Sequence, residues 1–361
     1  MQQILIAGAG IIGRSVATWL QTCGDYQVHL VDSQIPNVDL SASIAFQQLD
    51  ITNTTALQSY CTTHKINAII ATLPHYHTQT LAQFALTHHI NYFDPTEDIK
   101  ITQFIATESK STSAAFVPQC GLAPGYINIL ANHYMQLFDI VEKVKLRCGA
   151  LPAQSANALH YAFSWSPDGL INEYIQACEV LKDGKLQSVA GLSELERIDI
   201  DGNTYEAFHT SGGLASLAHT YEDKVQTMDY KTIRYPGHCE KMQFLLHDMK
   251  LKDDIPTLRT LLTNAIPFTD QDIVLVYVSV NGDRNGRFEK KSFTHKYYPQ
   301  TVFGNRYSAI QLTTTAGICA IVDMVLQNPT QYHGYVRQEA FSLTAFWDNR
   351  FGKLLKPKDE E

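Results

Sequence analysis

Three glycines carry the first readable chemistry of this chain. Gly8, Gly10 and Gly13 stand in the spacing GxGxxG, directly after the short apolar run Gln3 to Ala7. The first glycine of such a set permits a tight turn, the second lets the backbone approach a pyrophosphate, and the third lets the following helix pack on the strand. The amides from Gly10 through Ile11, Ile12 and Gly13 then open a helix, where phosphate oxygens are held. A second apolar run, Val28 to Val31, ends at Asp32. That is about 20 residues past the turn, where a carboxylate bonds a ribose diol. Asp32 repels a 2′-phosphate, and no Arg or Lys occurs from Ser33 to Gln58 to compensate. NAD is the expected cofactor, and NADP the less favoured one.

Two further strand ends extend this site. Asp50 and Ile51 are expected beside the adenine, with a helix N-cap as the alternative for Asp50. Thr72, Leu73 and Pro74 are expected beside the nicotinamide ribose.

The second half holds four polar clusters. Gly121 to Asn128 follows a strand and opens a helix, so the amides up to Gly125 could hold a carboxylate; a plain tight turn is the alternative. Ser164 to Gly169 leads into Asn172-Glu173-Tyr174, with Ser166 or Asp168 as possible caps. Phe208 to Gly213 joins a strand to a helix and offers the Thr210 and Ser211 hydroxyls to a small polar ligand. In Tyr230 to Lys241, strand alternation points Lys231 and Ile233 one way and Tyr230, Thr232 and Arg234 the other. A guanidinium there could clamp a carboxylate at two points. His238 follows a Pro-Gly turn at an expected helix start, where the dipole favours neutral imidazole and suits a general base; a purely structural histidine is the alternative. No set of His, Cys and carboxylates has zinc spacing.

These residues need elements to place them. Strands are expected at Ile44 to Leu49, Ala68 to Ala71, Asn91 to Phe93 and Ala114 to Val117, with helices at Thr54 to His64 and His77 to His89. The pattern is a doubly wound parallel sheet of about six strands. Beyond residue 121, strands are expected at Val141 to Cys148, Ala158 to Ser164, Tyr205 to Thr210, Met228 to Arg234 and Ile273 to Val280, with a helix over Leu170 to Lys182. A last clear helix, Thr314 to Gln327, is apolar on more than one face and should be buried. The tail from Lys353 to Glu361 reads as frayed. The fold class is α/β: a Rossmann domain over 1–120, an inserted α+β substrate and dimerisation domain over 121–310, and a C-terminal helical segment over 311–361 packing back on the Rossmann domain.

Bulk properties fit a soluble enzyme. Hydrophobic residues make up 45% of the 361 and the net charge is −8, which gives no electrostatic reason to bind nucleic acid or anionic membrane. No apolar run reads as a bilayer span and no basic leader precedes the first strand, so a cytoplasmic location is expected. Seven scattered cysteines without a CxxC pair read as free thiols.

Taken together, the glycine fingerprint, Gly121 to Asn128, Ser164 to Tyr174, Glu206 to Gly213 and Tyr230 to Lys241 resemble the saccharopine dehydrogenase family, nearest its L-lysine 6-dehydrogenase branch. The likeness runs in order over nearly the whole chain. It implies a homodimer or higher oligomer and NAD(P)-linked oxidation of an amino acid at a C–N bond. Such a reaction needs a neutral amine, whereas a lysine ε-amine has a reference pKa of about 10.4, so a base must take a proton. His238 is the first candidate and Lys231 the second. Arg234 and the Gly121 to Gly125 amides would hold the α-carboxylate, Glu173 would pair with an ammonium, and Thr210, Ser211 and Asn128 would line the substrate. Between residues 121 and 310 only Arg234 among the arginines sits in a recognised cluster, which favours a simpler amino acid over the three carboxylates of saccharopine. Reductive condensation to a secondary amine and a non-catalytic NAD-sensing role are the alternatives.

Overall fold

The computed structural model describes residues 1–37, 44–154 and 157–358. The chain divides into two compact units, Met1–Tyr126 with Thr313–Glu361, and Ile127–Leu312.

The first unit begins with β1 (Gln2–Ala7), α1 (Ile11–Thr22), β2 (Tyr26–Asp32), β3 (Ala45–Gln48), α2 (Thr54–His64), β4 (Ala68–Ala71), α3 (His75–His88), β5 (Asn91–Phe93), α4 (Ile99–Glu108) and β6 (Ala115–Val117). The strands pair in parallel in the order 3-2-1-4-5-6, the arrangement of a dinucleotide-binding sheet. Strands such as β4, Ala-Ile-Ile-Ala, are buried at every residue, because helices cover both faces of a parallel sheet. Leu5, Val31, Ile69, Leu81 and Tyr92 join one such core.

After α5 (Tyr126–Met135) the second unit contains β7 (Ile140–Pro152), α6 (Pro167–Ile175), β8 (Cys178–Lys182), β9 (Lys185–Val189), β10 (Glu196–Ile200), β11 (Asn203–His209), α7 (Leu217–Thr220), β12 (Thr227–Arg234), α8 (His238–Gln243), α9 (Ile255–Ala265), β13 (Asp272–Arg284), β14 (Arg287–Tyr297) and the small pair β15 (Gln300–Val302) and β16 (Asn305–Tyr307). The main sheet runs 10-11-12-7-13-14, with β8 and β9 extending along β12. Only the β7–β12 pair in it is parallel. One face packs Phe208 with Tyr161, Tyr174, Met242, Leu258 and their neighbours; the other gathers Leu151, Ile200, Tyr205, Ala207, Ile233 and Leu275.

Two expectations in this unit are corrected. Ala158 to Ser164 forms no strand, only a single bridge from Phe163 to Phe268. The helix expected through Lys182 stops at Ile175, and Cys178–Lys182 is instead β8. Its burial does not alternate, Val180 and Leu181 both being inside, and it is pairing with β9 and β12 that makes it a strand.

The chain returns to the first unit through α10 (Ala309–Gln327), β17 (Gly334–Tyr335) and α11 (Leu343–Asp348). By length and composition α10 could cross a membrane, contrary to the reading that no such run exists, yet 83% of its apolar window is buried inside the protein. β17 adds a seventh parallel strand beside β6. The tail is not frayed through residue 358: Gly352–Leu355 forms a 3-10 turn, Leu355 is fully buried and its carbonyl accepts from the Tyr126 hydroxyl at 3.1 Å. Residues 359–361 lie outside the described residues.

Candidate functional site

The glycine turn joins β1 to α1. Gly8 has φ +108°, and a Cβ there would meet the Thr72 carbonyl oxygen at 2.5 Å. One on Gly13 would stand 1.8 Å from the Gly8 oxygen, whereas one on Gly10 meets nothing within 4 Å. Two glycines therefore serve packing, and the third leaves open space on which a phosphate can close. Ile11, 40% exposed, begins α1, and Ile12 follows it half-buried.

Asp32 ends β2, and its carboxylate accepts the Ala9 amide at 2.7 Å and the Gln34 amide at 2.9 Å. The acid thus ties the glycine turn to its own strand end. Ser33 next to it is exposed. These features fit a dinucleotide: an open second glycine, a helix N-terminus behind it and an anchored carboxylate beside it.

Asp50 is exposed and folds back on Thr52, accepting its amide at 2.9 Å and its hydroxyl at 2.8 Å. Asn53, not Asp50, caps α2. Ile51 is buried in the core. The Thr72 hydroxyl lies 3.0 Å from both the Ala7 and Gly8 carbonyls, so it braces the turn. Leu73 is half-buried and Pro74 exposed at the start of α3.

Asp94, immediately after β5, carries a signal that the sequence reading passed over: an acid at the carboxyl end of a central strand. It is 1% exposed, and one carboxylate oxygen accepts the Thr96 amide at 2.9 Å while the other has no partner. Burial raises it to about 7, against the pull of the Thr96 amide. Cys120 is buried with its thiol 3.3 Å from the Asp94 carbonyl.

In the second unit, β12 separates its charges as alternation requires. Arg234 is 2% exposed on the face of Phe208. Its Nε donates to the Tyr174 hydroxyl at 3.0 Å and Nη1 to the Ile233 carbonyl at 2.9 Å. The guanidinium stands over the rings of Tyr161 at 5.1 Å and Tyr174 at 5.9 Å. Burial works against this cation, and Tyr174, Tyr161 and Glu173 outweigh it. The same face gathers Thr210, whose hydroxyl meets that of Thr232 at 2.7 Å, and Ser211, whose amide donates to the Glu173 carbonyl at 3.1 Å. Asn128 is fully buried and donates to the Gly213 carbonyl at 3.0 Å. Gly125, φ +133°, lies in the first unit, where its close approach to the Gly121 backbone excludes any side chain.

Both candidate bases are held by neighbours in this structure, and burial lowers the Lys231 pKa in the direction a base there needs. His238 does begin α8, but its ring is fully buried and both nitrogens are engaged, Nδ1 with the Leu159 carbonyl at 2.7 Å and Nε2 with the Tyr174 hydroxyl at 3.0 Å. Burial first, then the Arg234 charge, lowers its pKa to about 3; the helix start is not the main cause. Lys231 points to the opposite face from Arg234, donating to the Glu194 carbonyl at 2.6 Å beside Glu196 and Asp229. That face also corrects the count of clustered arginines. Arg147, fully buried, pairs with Glu196 at 2.5 Å and Asp229 at 2.9 Å. Burial alone would raise Glu196, but Arg147, Lys231 and Lys145 hold it at about 2. Of the two expected caps, Ser166 or Asp168, it is Ser166 that caps α6, accepting the Gly169 amide.

A seven-strand parallel sheet with a glycine turn, interrupted by a mixed-sheet unit, defines a two-unit α/β protein of the nucleotide-binding class. The model of the saccharopine dehydrogenase NADP binding domain matches residues 4–119, and that of the saccharopine dehydrogenase C-terminal domain matches residues 121–356. The chain belongs to the saccharopine dehydrogenase family. Mouse mitochondrial alpha-aminoadipic semialdehyde synthase is 22% identical over 78% of this chain and 31% of its own length. Saccharopine dehydrogenase [NADP(+), L-glutamate-forming] of Saccharomyces cerevisiae is 22% identical over 70% of the chain and 59% of its own. The chain thus matches less than two thirds of the length of either relative. Among solved structures, apo saccharopine dehydrogenase (L-Glu forming) from S. cerevisiae superposes with TM-score 0.74 at 16% identity, covering 96% of this chain and 97% of that one. The homospermidine synthase of Legionella pneumophila, solved with NAD, gives 0.69 at 14% identity over 98% and 89%. At these identities the likeness is one of fold.

Proposed function

We propose that this protein is an NAD-dependent oxidoreductase acting on a C–N bond of a small amino acid, of the L-lysine 6-dehydrogenase type. The observation that carries the reading is Arg234, a buried cation among Tyr161, Tyr174 and Glu173, the kind of group that fixes a substrate carboxylate. Bound nicotinamide would supply the hydride acceptor. The glycine turn would hold the pyrophosphate and Asp32 the adenosine ribose, whose diol its carboxylate favours over a 2′-phosphate. The family model and the yeast relative carry NADP in their names, so the choice of NAD rests on Asp32.

The substrate ammonium must lose a proton before hydride leaves its carbon, and a second proton leaves the nitrogen as the imine forms. A base must take these protons, and in this structure His238 and Lys231 are both held by neighbouring groups. Glu173 would balance the substrate's other ammonium. NADH production with L-lysine, saccharopine and L-ornithine, compared between the unmodified protein and Arg234→Lys, tests the reading. A strong loss of substrate use with unchanged NAD affinity and circular dichroism is expected. Equal use by the two proteins would overturn it.

The structural likeness to homospermidine synthase sustains a second reading, reductive joining of two amines. A substrate without a carboxylate would make turnover indifferent to Arg234→Lys.

A further inference from the structure

The groups around Arg234 form a hydrogen-bond chain with only one possible direction. At one end the Leu159 carbonyl, 2.7 Å from His238 Nδ1, can only accept, so Nδ1 bears the proton. A neutral ring then leaves Nε2 bare, and the Tyr174 hydroxyl 3.0 Å away must donate to it. At the other end the Nε of Arg234, 3.0 Å from the Tyr174 oxygen, can only donate. Every link has one proton and one lone pair. Protonating the imidazole would aim two donors at the Tyr174 oxygen and leave the tyrosine proton without an acceptor.

We propose that Tyr174 and His238 are positioning residues that fix the plane of the Arg234 guanidinium, so that the edge away from Tyr174 is presented to the substrate carboxylate. The inference rests on the reading of Arg234 as the carboxylate clamp. The packing supports it. His238 stacks at 7° on Phe208, with ring centroids 6.3 Å apart. Tyr161, which faces the guanidinium, accepts from the Trp165 indole at 3.0 Å. An arginine side chain has several rotatable bonds, and two-point recognition needs its fork preset. The Nη1 bond to Ile233 fixes one corner and Tyr174 fixes a second.

Two measurements decide the matter. The imidazole ¹⁵N signals of His238, assigned through contacts with the rings of Tyr161 and Tyr174, should show the Nδ1–H tautomer unchanged from pH 5 to 9. An Nε2–H tautomer or a titration in that range overturns the chain whatever Arg234 does. Tyr174→Phe keeps the ring and removes the hydroxyl. It should raise KM about tenfold for the best-oxidised compound among L-lysine, saccharopine and L-ornithine, leaving the NAD KM unchanged, and should add less than twofold in an Arg234→Lys background. If Arg234→Lys raises KM while Tyr174→Phe does not, or if the two effects multiply, the positioning role is wrong and the clamp survives. If Arg234→Lys itself has no effect, or none of the compounds is oxidised, the clamp reading falls, and the tautomer still tests the chain.

Discussion

Gly13 and Gly8 pack so tightly that a single methyl on the former would overlap the carbonyl of the latter, at 1.8 Å, while Gly10 between them faces open space. The fingerprint therefore separates by experiment into structural and ligand-facing positions. Gly13→Ala is expected to cost about 3 kcal/mol or more through overpacking, seen as a fall of several degrees in Tm. Gly10→Ala should leave Tm within about 1 °C and weaken NAD binding about tenfold or more, because its methyl meets no protein atom but obstructs the phosphates. Calorimetry and cofactor titration on the two variants check the separation.

Asp32 should set the cofactor preference. The unmodified protein is expected to bind NAD more tightly than NADP, and Asp32→Ser to narrow the difference. Because the carboxylate also holds the Ala9 amide, the variant should lose some affinity for both cofactors. Parallel titrations give the result, and tighter NADP binding by the unmodified protein would remove the basis for the NAD assignment.

For Asp94 stability should fall as pH rises. Its pKa is raised to about 7 from an ordinary 3.8, so between those values the folded chain keeps a proton that the unfolded chain releases. Stability from this group is present below the lower value and is lost as pH rises through the window, by up to about 1.4 kcal/mol per pH unit. Burial also raises Glu97 to about 7 beside it, so Asp94→Asn should reduce that slope, leaving the part due to Glu97, and be more stable than the parent at pH 8. Denaturant melts of both proteins from pH 4 to 8 test this.

His238 contributes a slope of the opposite sign. With its pKa lowered from 6.5 to about 3, only the unfolded chain takes a proton between those values. The stability it provides is complete above about 6.5 and declines as pH falls toward 3, again by up to about 1.4 kcal/mol per unit. The two slopes overlap between pH 4 and 6.5, so each must be read from its own variant. His238→Gln should flatten the acid side of the stability curve while leaving the acidic limb of turnover where it was. A displaced limb would return His238 to the chemistry.

The first unit was legible because its strands are short apolar runs closed by glycine, proline or acid, and its helices run between turn residues. Thr54 to His64 and Ala68 to Ala71 match the structure residue for residue. The second unit was harder because a mixed sheet admits apolar runs of either period. Cys178 to Lys182 follows a true helix without a strong breaker, and only pairing with β9 and β12 makes it a strand. The alternation of β12 correctly divides Lys231 from Arg234, so a base at Lys231 and a carboxylate clamp at Arg234 could not serve one substrate on the same face of the sheet. For His238, residue type and position suggest reactivity; the partners that hold its ring, Tyr174 and Leu159, lie 64 and 79 residues away, and no local pattern reveals them.

The return of α10 to the first unit has a consequence for the order in which the protein is made. Gly317 lies against the Gly121 carbonyl, where a Cβ would stand 2.4 Å from the oxygen, Asp323 accepts from the Tyr26 hydroxyl at 2.7 Å, and the Leu326 carbonyl accepts from Gln2 at 3.0 Å. These partners of the earliest residues are translated after the entire second unit. On the ribosome, then, the nascent nucleotide-binding sheet must wait, unsealed along α10, while the inserted unit has all its own strands in hand. The inserted unit is accordingly the one able to finish folding first.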